Sequence, residues 1–194
     1  SLNFKSKLFY GGGDLALNLM WQLQVFYIMF FYTDVFGLSP ATAGLVFGIA
    51  KIWDAFSDPI MGYIADNTVT KWGKFRPYVL FGSIPALISI ILCFMSPELS
   101  QTGKFYWALF TYISFTTLYT VVAIPLGSMI PVMTEDLNER TSLASYRYFG
   151  ASLGAIVVVG CTRPIAEQFS SLQIGFPIAV SILAFFGFIL FFLF

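Results

Sequence analysis

The sequence predicts an all-α integral membrane protein, a bundle of six transmembrane helices, on three observations. Hydrophobic residues make up 58% of the 194 and charged residues only 10%, against about 45–50% and about 25% in soluble domains. The apolar residues gather into six runs, at 8–32, 41–64, 77–95, 105–132, 143–161 and 174–194, each near the ~20 residues a helix needs to cross a hydrocarbon core. Lysines and arginines favour alternate connections between the runs, as membrane topology demands.

The first run carries a polar stripe, Asp14, Asn18 and Gln22, with Trp21 beside it. It is too long for a secretory signal, and further spans follow it. The second run holds Lys51, Asp54 and Asp58, at spacings that share one helical face. Carboxylates one turn apart repel, and in low dielectric one of them must take a proton or a cation. Small hard cations are held by several oxygens, a rule that extends from calcium and magnesium to sodium. Ser57 adds a hydroxyl, and Pro59 frees the carbonyl of Ala55.

The third run is apolar. The fourth carries Thr116, Thr117, Tyr119 and Thr120, hydroxyls beside an aromatic plane that suit a sugar ring or interhelical hydrogen bonds. The fifth holds Arg147 and the pair Gly150/Gly154, which, like Gly44/Gly48, allows close helix approach. The sixth is undiagnostic and ends at Phe194 inside an apolar stretch. The expectation is a truncated chain, with an obligate half-sized protein that dimerises as the alternative.

Intramembrane charge is expensive, at least ~2.5–3.5 kcal/mol per group at a helix centre, so each charge needs a partner or a watery cavity. Asp14, Lys51, Asp54, Asp58 and Arg147 together carry one excess negative charge. One monovalent cation would neutralise the set if the five converge.

Net charge is zero and no Lys/Arg block exists, so no nucleic-acid partner is expected. There is no His, and Cys93 and Cys161 lie within apolar runs, which removes zinc and haem ligand sets and His-based acid/base chemistry. No cofactor and no enzymatic activity are expected. Gly11-Gly12-Gly13-Asp14 does spell the GxGD of intramembrane aspartyl proteases. Their second aspartate, in a Tyr-Asp pair, has no counterpart here.

Lys5 and Lys7 precede the first run, Lys71, Lys74 and Arg76 lie between the second and third, and Arg140 lies between the fourth and fifth. The opposite connections hold Lys104 and Arg163. Both ends are therefore placed in the cytoplasm, and six spans so arranged suit one half of a twelve-helix carrier.

Four sequence blocks carry a resemblance. The first is Lys7-Leu8-Phe9-Tyr10-Gly11-Gly12-Gly13-Asp14 with Phe31-Tyr32-Thr33-Asp34-Val35 and Gly37-Leu38-Ser39. The others are Trp53-Asp54-Ala55-Phe56-Ser57-Asp58-Pro59-Ile60-Met61-Gly62, Trp72-Gly73-Lys74-Phe75-Arg76-Pro77, and Ile124-Pro125 with Ser128. From about Lys7 to Gly154 the chain resembles the glycoside–pentoside–hexuronide cation symporters of the major facilitator superfamily, which include the melibiose permeases. The resemblance implies the amino-terminal half of a twelve-helix alternating-access carrier in the cell membrane. Its partners would be a sugar or glycoside, a monovalent cation (sodium, lithium or proton), the bilayer and a carboxy-terminal six-helix half.

In that family the aspartates matching Asp54 and Asp58 hold the coupling cation, and the residue matching Thr120 lies nearby; Ser57 is a further candidate oxygen. Asn18, Trp21, Gln22, Tyr119 and Arg147 are expected to meet the sugar, and Asp14 and Lys51 to balance charge. Asp66, Lys74 and Arg76 fall in the loop that gates the cytoplasmic side. Melibiose-type members place carboxylates at the positions matching Asn18 and Ala123 and a Trp at that matching Gly127. Their loss argues against galactoside recognition of the melibiose type; the Ile124-Pro125-Leu126-Gly127-Ser128 stretch resembles the branch that moves pentosides, glucuronides or related sugars, and Arg147 would suit an acidic one. The rival readings are an uncoupled uniporter or sensor, a lipid carrier (disfavoured by the polar faces of helices 1 and 4) and a non-transporting fragment.

Overall fold

The computed structural model describes residues 4–193, with side chains from 7 to 192. The Lys5 side chain and Phe194 lie outside the described residues. The described chain is helical throughout, connected by short turns: α1 (Phe4–Phe30), prolonged by a π-helical turn (Phe31–Val35), α2 (Pro40–Asn67), α3 (Arg76–Cys93), α4 (Gln101–Gly127), the single turn α5 (Ile130–Met133), α6 (Leu137–Ala166) and α7 (Leu172–Leu193). The six expected spans are α1, α2, α3, α4, α6 and α7.

Local chemistry sets the ends. Ser39 caps α2 by accepting from Thr42 N at 3.2 Å, with Pro40 in the first turn; Ser100 caps α4 through Gly103 N at 3.2 Å. Asp136 accepts from Asn138 N and Glu139 N at 2.7 and 3.1 Å. That cap starts α6 six residues before the apolar run begins at Leu143, because an amphipathic first turn is helical without being apolar. Gly37 turns the chain out of the π-helical turn at φ +79°, a left-handed conformation that glycine tolerates.

Five of the helices are long and apolar enough to cross a membrane by length and composition. The sixth, α2, has the length, 28 residues, and is diluted by Lys51, Asp54, Asp58 and Asp66. Large apolar side chains such as Phe110, Phe185 and Phe192 stand 66–77% exposed, a surface that lipid, and not water, accommodates.

α1 packs against α6 and α7, α4 packs against α2 and α3, α3 meets α7, and α1 also touches α4. Lipid removes the hydrophobic drive between helices, leaving close packing and hydrogen bonds to hold them. Gly150 of α6 supplies close packing, since a Cβ there would lie 3.0 Å from the Gly11 carbonyl oxygen of α1. Tyr10 OH donates to Leu126 O at 2.9 Å, joining α1 to α4, and Trp53 Nε1 to Thr117 Oγ1 at 2.7 Å, joining α2 to α4. At the opposite end Phe31, Phe36, Phe94 and Phe176 form an aromatic cluster with ring centroids 5.3–6.2 Å apart. Lys104 Nζ closes that end by donating to Phe36 O at 2.8 Å.

Candidate functional site

The polar residues of α1, α2, α4 and α6 gather around two cavities. The first, about 210 Å³, is lined by Trp21 of α1, Lys51, Asp54 and Asp58 of α2, and Thr116, Tyr119, Thr120, Ala123 and Ile124 of α4. Helical spacing puts the three charges of α2 on this side, as the sequence predicts. Lys51 Nζ pairs with Asp54 Oδ2 at 3.3 Å, and its ammonium stands 5.8 Å from the Trp21 ring centroid. Thr120 Oγ1 donates to Asp58 Oδ1 at 2.9 Å. Asp54 Oδ1 is buried without a hydrogen-bond partner, and so is Ser57 Oγ. Trp21 and Tyr119 form an aromatic wall, with centroids 5.4 Å apart and planes 32° from parallel.

The second cavity, about 290 Å³, is lined by Asp14 and Asn18 of α1, Ile130 of α5, and Ala144, Arg147, Tyr148 and Ala151 of α6. Arg147 Nε donates to Asp14 Oδ1 at 2.9 Å, and Asn18 Nδ2 donates to Asp14 Oδ2 at 3.0 Å. Asp14 is thus paired on both oxygens.

Two expectations change. The five intramembrane charges do not converge on one point: Asp14 and Arg147 neutralise each other in the second cavity, and Lys51, Asp54 and Asp58 meet in the first. One negative charge remains in the first cavity. Gln22 is half-buried and lines neither cavity, because eight residues from Asp14 the helix has turned about 80° off the stripe. Trp21, seven residues on, stays within about 20° of it.

Of the three residues expected in the gating loop, Lys74 Nζ pairs with Asp66 Oδ1 at 3.1 Å. Arg76 opens α3 and lines a small cavity with Lys74, Met129 and Met133. Tyr10 and the buried pair Gln24–Tyr112 were not singled out as site residues by the sequence; a lone Gln inside an apolar run was the available signal.

Among the described residues no group of three or more His, Cys, Asp or Glu comes together. An ion in the first cavity would therefore rest on two carboxylates and neutral oxygens, a donor set that fits a single positive charge better than a divalent one. The positions at which melibiose-type members differ also fall here. Ala123 lines the first cavity, Asn18 the second, and a Cβ on Gly127 would stand 3.8 Å from Arg147 Nη1.

A family model described as "MFS/sugar transport protein" matches residues 9–194. The "Putative glycoside/cation symporter YagG" of Escherichia coli is 39% identical over 97% of the chain and 42% of its own length. The "Inner membrane symporter YicJ" of the same organism is 40% identical over 94% of the chain and 40% of its own length. The "Isoprimeverose transporter" of Lactiplantibacillus pentosus is 42% identical over 82% of the chain and 33% of its own length. The chain spans about two fifths or less of these curated relatives. With a family model over nearly the whole chain and this identity across it, the chain belongs to the MFS/sugar transport family, the glycoside–pentoside–hexuronide symporters of the major facilitator superfamily.

Proposed function

We propose that this chain is the amino-terminal six-helix half of a twelve-helix carrier that couples a monovalent cation to uptake of a glycoside, pentoside or hexuronide. The carrying observation is the first cavity, where two carboxylates, the Thr120 hydroxyl and one lysine leave a single negative charge beside the Trp21–Tyr119 wall. Asp54 and Asp58 bind the cation, with Thr120 and Ser57 supplying neutral oxygens. The apolar faces of Trp21 and Tyr119 suit the C–H face of a sugar ring, and Asn18 and Arg147 meet its polar substituents from the second cavity. One wall borders both ligands, so each alters the other's surroundings, and the coupling must be reciprocal.

The names of the relatives support the same reading, since they describe a putative glycoside/cation symporter, an inner membrane symporter and an isoprimeverose transporter. The end carrying Lys7, Lys71, Lys74, Arg76 and Arg140 is cytoplasmic, with the Asp66–Lys74 pair at the inner gate.

The test is sugar binding by the complete carrier with and without sodium, and across pH, in wild type and Asp58→Ala. Cation-enhanced binding that the substitution abolishes supports coupling at this pair. Binding indifferent to sodium and pH in both proteins overturns coupling and leaves a uniporter or sensor.

A further inference from the structure

One helical turn from the first cavity lies a polar pair of which the proposed function makes no use. Gln24 of α1 and Tyr112 of α4 are each 5% exposed, and Gln24 Nε2 donates to the Tyr112 hydroxyl. Gln24 follows Trp21 by three residues and Tyr112 precedes Thr116 by four, and both Trp21 and Thr116 line the cavity. Phe47, four residues before Lys51 on α2, packs its ring 5.2 Å from that of Tyr112. The pair therefore sits over the cavity on the side toward the Phe31–Phe36–Phe94–Phe176 end.

Gln24 Oε1 has no hydrogen-bond partner. Turning the amide over exchanges donor and acceptor and still leaves one buried amide atom unpaired. A structural interhelical bond has no use for that second atom. Asp54, which lines the cavity on α2, has its Oδ1 likewise buried and unpartnered. In the orientation observed, both unpaired atoms, Gln24 Oε1 and Asp54 Oδ1, are acceptors, and a water bound through its oxygen to a cation has two protons to give.

We propose that Gln24 and Tyr112 form the outer wall of the cation site and hold the water that completes the coordination of an alkali cation bound by Asp54 and Asp58. The inference rests on the cation-coupling reading and extends it to the ion's chemistry. An alkali ion needs several oxygens, whereas a proton needs one carboxylate lone pair and gains nothing from an amide one turn away.

The experiment is a sodium titration of sugar binding in the complete carrier, comparing wild type, Gln24→Leu, Gln24→Glu, Tyr112→Phe and Asp58→Ala. Gln24→Leu raises half-saturating sodium about tenfold, the low end for an outer partner of a metal ligand, and leaves sugar affinity at saturating sodium unchanged. Gln24→Glu, which keeps an acceptor in place, restores tight sodium dependence. Tyr112→Phe, which keeps the ring packing, shifts sodium in the same direction as Gln24→Leu and serves if the leucine variant does not fold.

Wild-type half-saturation in both Gln24→Leu and Tyr112→Phe, with Asp58→Ala abolishing the sodium effect, overturns the outer wall and leaves the coupling reading standing. An equal loss of sugar affinity at every sodium concentration assigns the pair to packing alone. Sugar binding that ignores sodium in wild type but varies with pH overturns the alkali-ion site and leaves proton coupling standing; indifference to both removes both readings.

Discussion

The guanidinium of Arg147 donates through Nε to Asp14 Oδ1 at 2.9 Å, tying α6 to α1 beside the second cavity. The carboxylate side chain is 5% exposed and the guanidinium side chain 34%. Asn18 and Arg147 occupy the two carboxylate oxygens, so removing either charge strands the other. Asp14→Asn is expected to cost about 2 kcal/mol, below the ~3–5 kcal/mol of a fully buried pair because water reaches the guanidinium. In detergent the thermal midpoint of the complete carrier should fall by several degrees. The double variant Asp14→Ala/Arg147→Ala should be more stable than the sum of the single losses implies. Strict additivity would show that the pair contributes nothing jointly.

Thr120 Oγ1 donates to Asp58 Oδ1 at 2.9 Å across α4 and α2. Valine has nearly the same shape without the donor, so Thr120→Val isolates the hydroxyl. A charge-assisted bond at a part-buried site contributes about 1–2 kcal/mol. Half-saturating cation for sugar binding should therefore rise at least fivefold or so, and Thr120→Ser should recover most of it. Equal affinities in the valine and serine variants would remove the hydroxyl from the cation site.

The spans were legible because lipid demands long apolar runs, and the face of α2 because three charges at helical spacing can share only one side. The pairing of Asp14 with Arg147 was not legible, since it joins residues 133 apart in sequence through packing that no local pattern encodes. Gln22 falls outside both cavities because a step of four overshoots the helical turn, and the offset accumulates over two steps. Gln24 escaped because an isolated amide in an apolar run looks the same whether it faces a neighbouring helix or an ion. The π-helical turn Phe31–Val35 and the turn α5 also lack a local signature; each is set by how the neighbouring helices end.

Close approach of α1 and α6 sets the spacing of the Asp14–Arg147 pair, and Gly150 permits it. A Cβ there would meet Gly11 O at 3.0 Å, Leu15 N at 3.4 Å and Leu15 Cβ at 3.6 Å. Two of these three neighbours are backbone atoms, which cannot rotate aside, so Gly150→Ala should cost about 1–3 kcal/mol. Gly12→Ala is the control, because nothing lies within 4 Å of its added Cβ, and alanine is the better helix former by about 1 kcal/mol. Thermal unfolding should show Gly150→Ala destabilised and Gly12→Ala unchanged or stabilised. Equal midpoints would mean that the two helices have room to part.

The orientation expected from charge can be tested chemically. Lys7 Nζ reaches Ser142 Oγ at 3.3 Å, which places the starts of α1 and α6 together. The α2–α3 connection, with Lys71 and Lys74, joins the same end. Lys104 and Arg163 lie at the other, where Lys104 bonds Phe36 O. Short loops rich in Lys and Arg are retained in the cytoplasm. Val69, 94% exposed in the α2–α3 connection, and Glu98, exposed between α3 and α4, mark the two sides. In a Cys161→Ser background, which removes the exposed thiol and keeps the buried Cys93, a membrane-impermeant maleimide should label Val69→Cys only in inside-out vesicles. It should label Glu98→Cys only in right-side-out vesicles. The opposite pattern would invert the topology, move the Asp66–Lys74 pair to the outer face and assign the inner gate to the Phe31–Phe94 aromatic end.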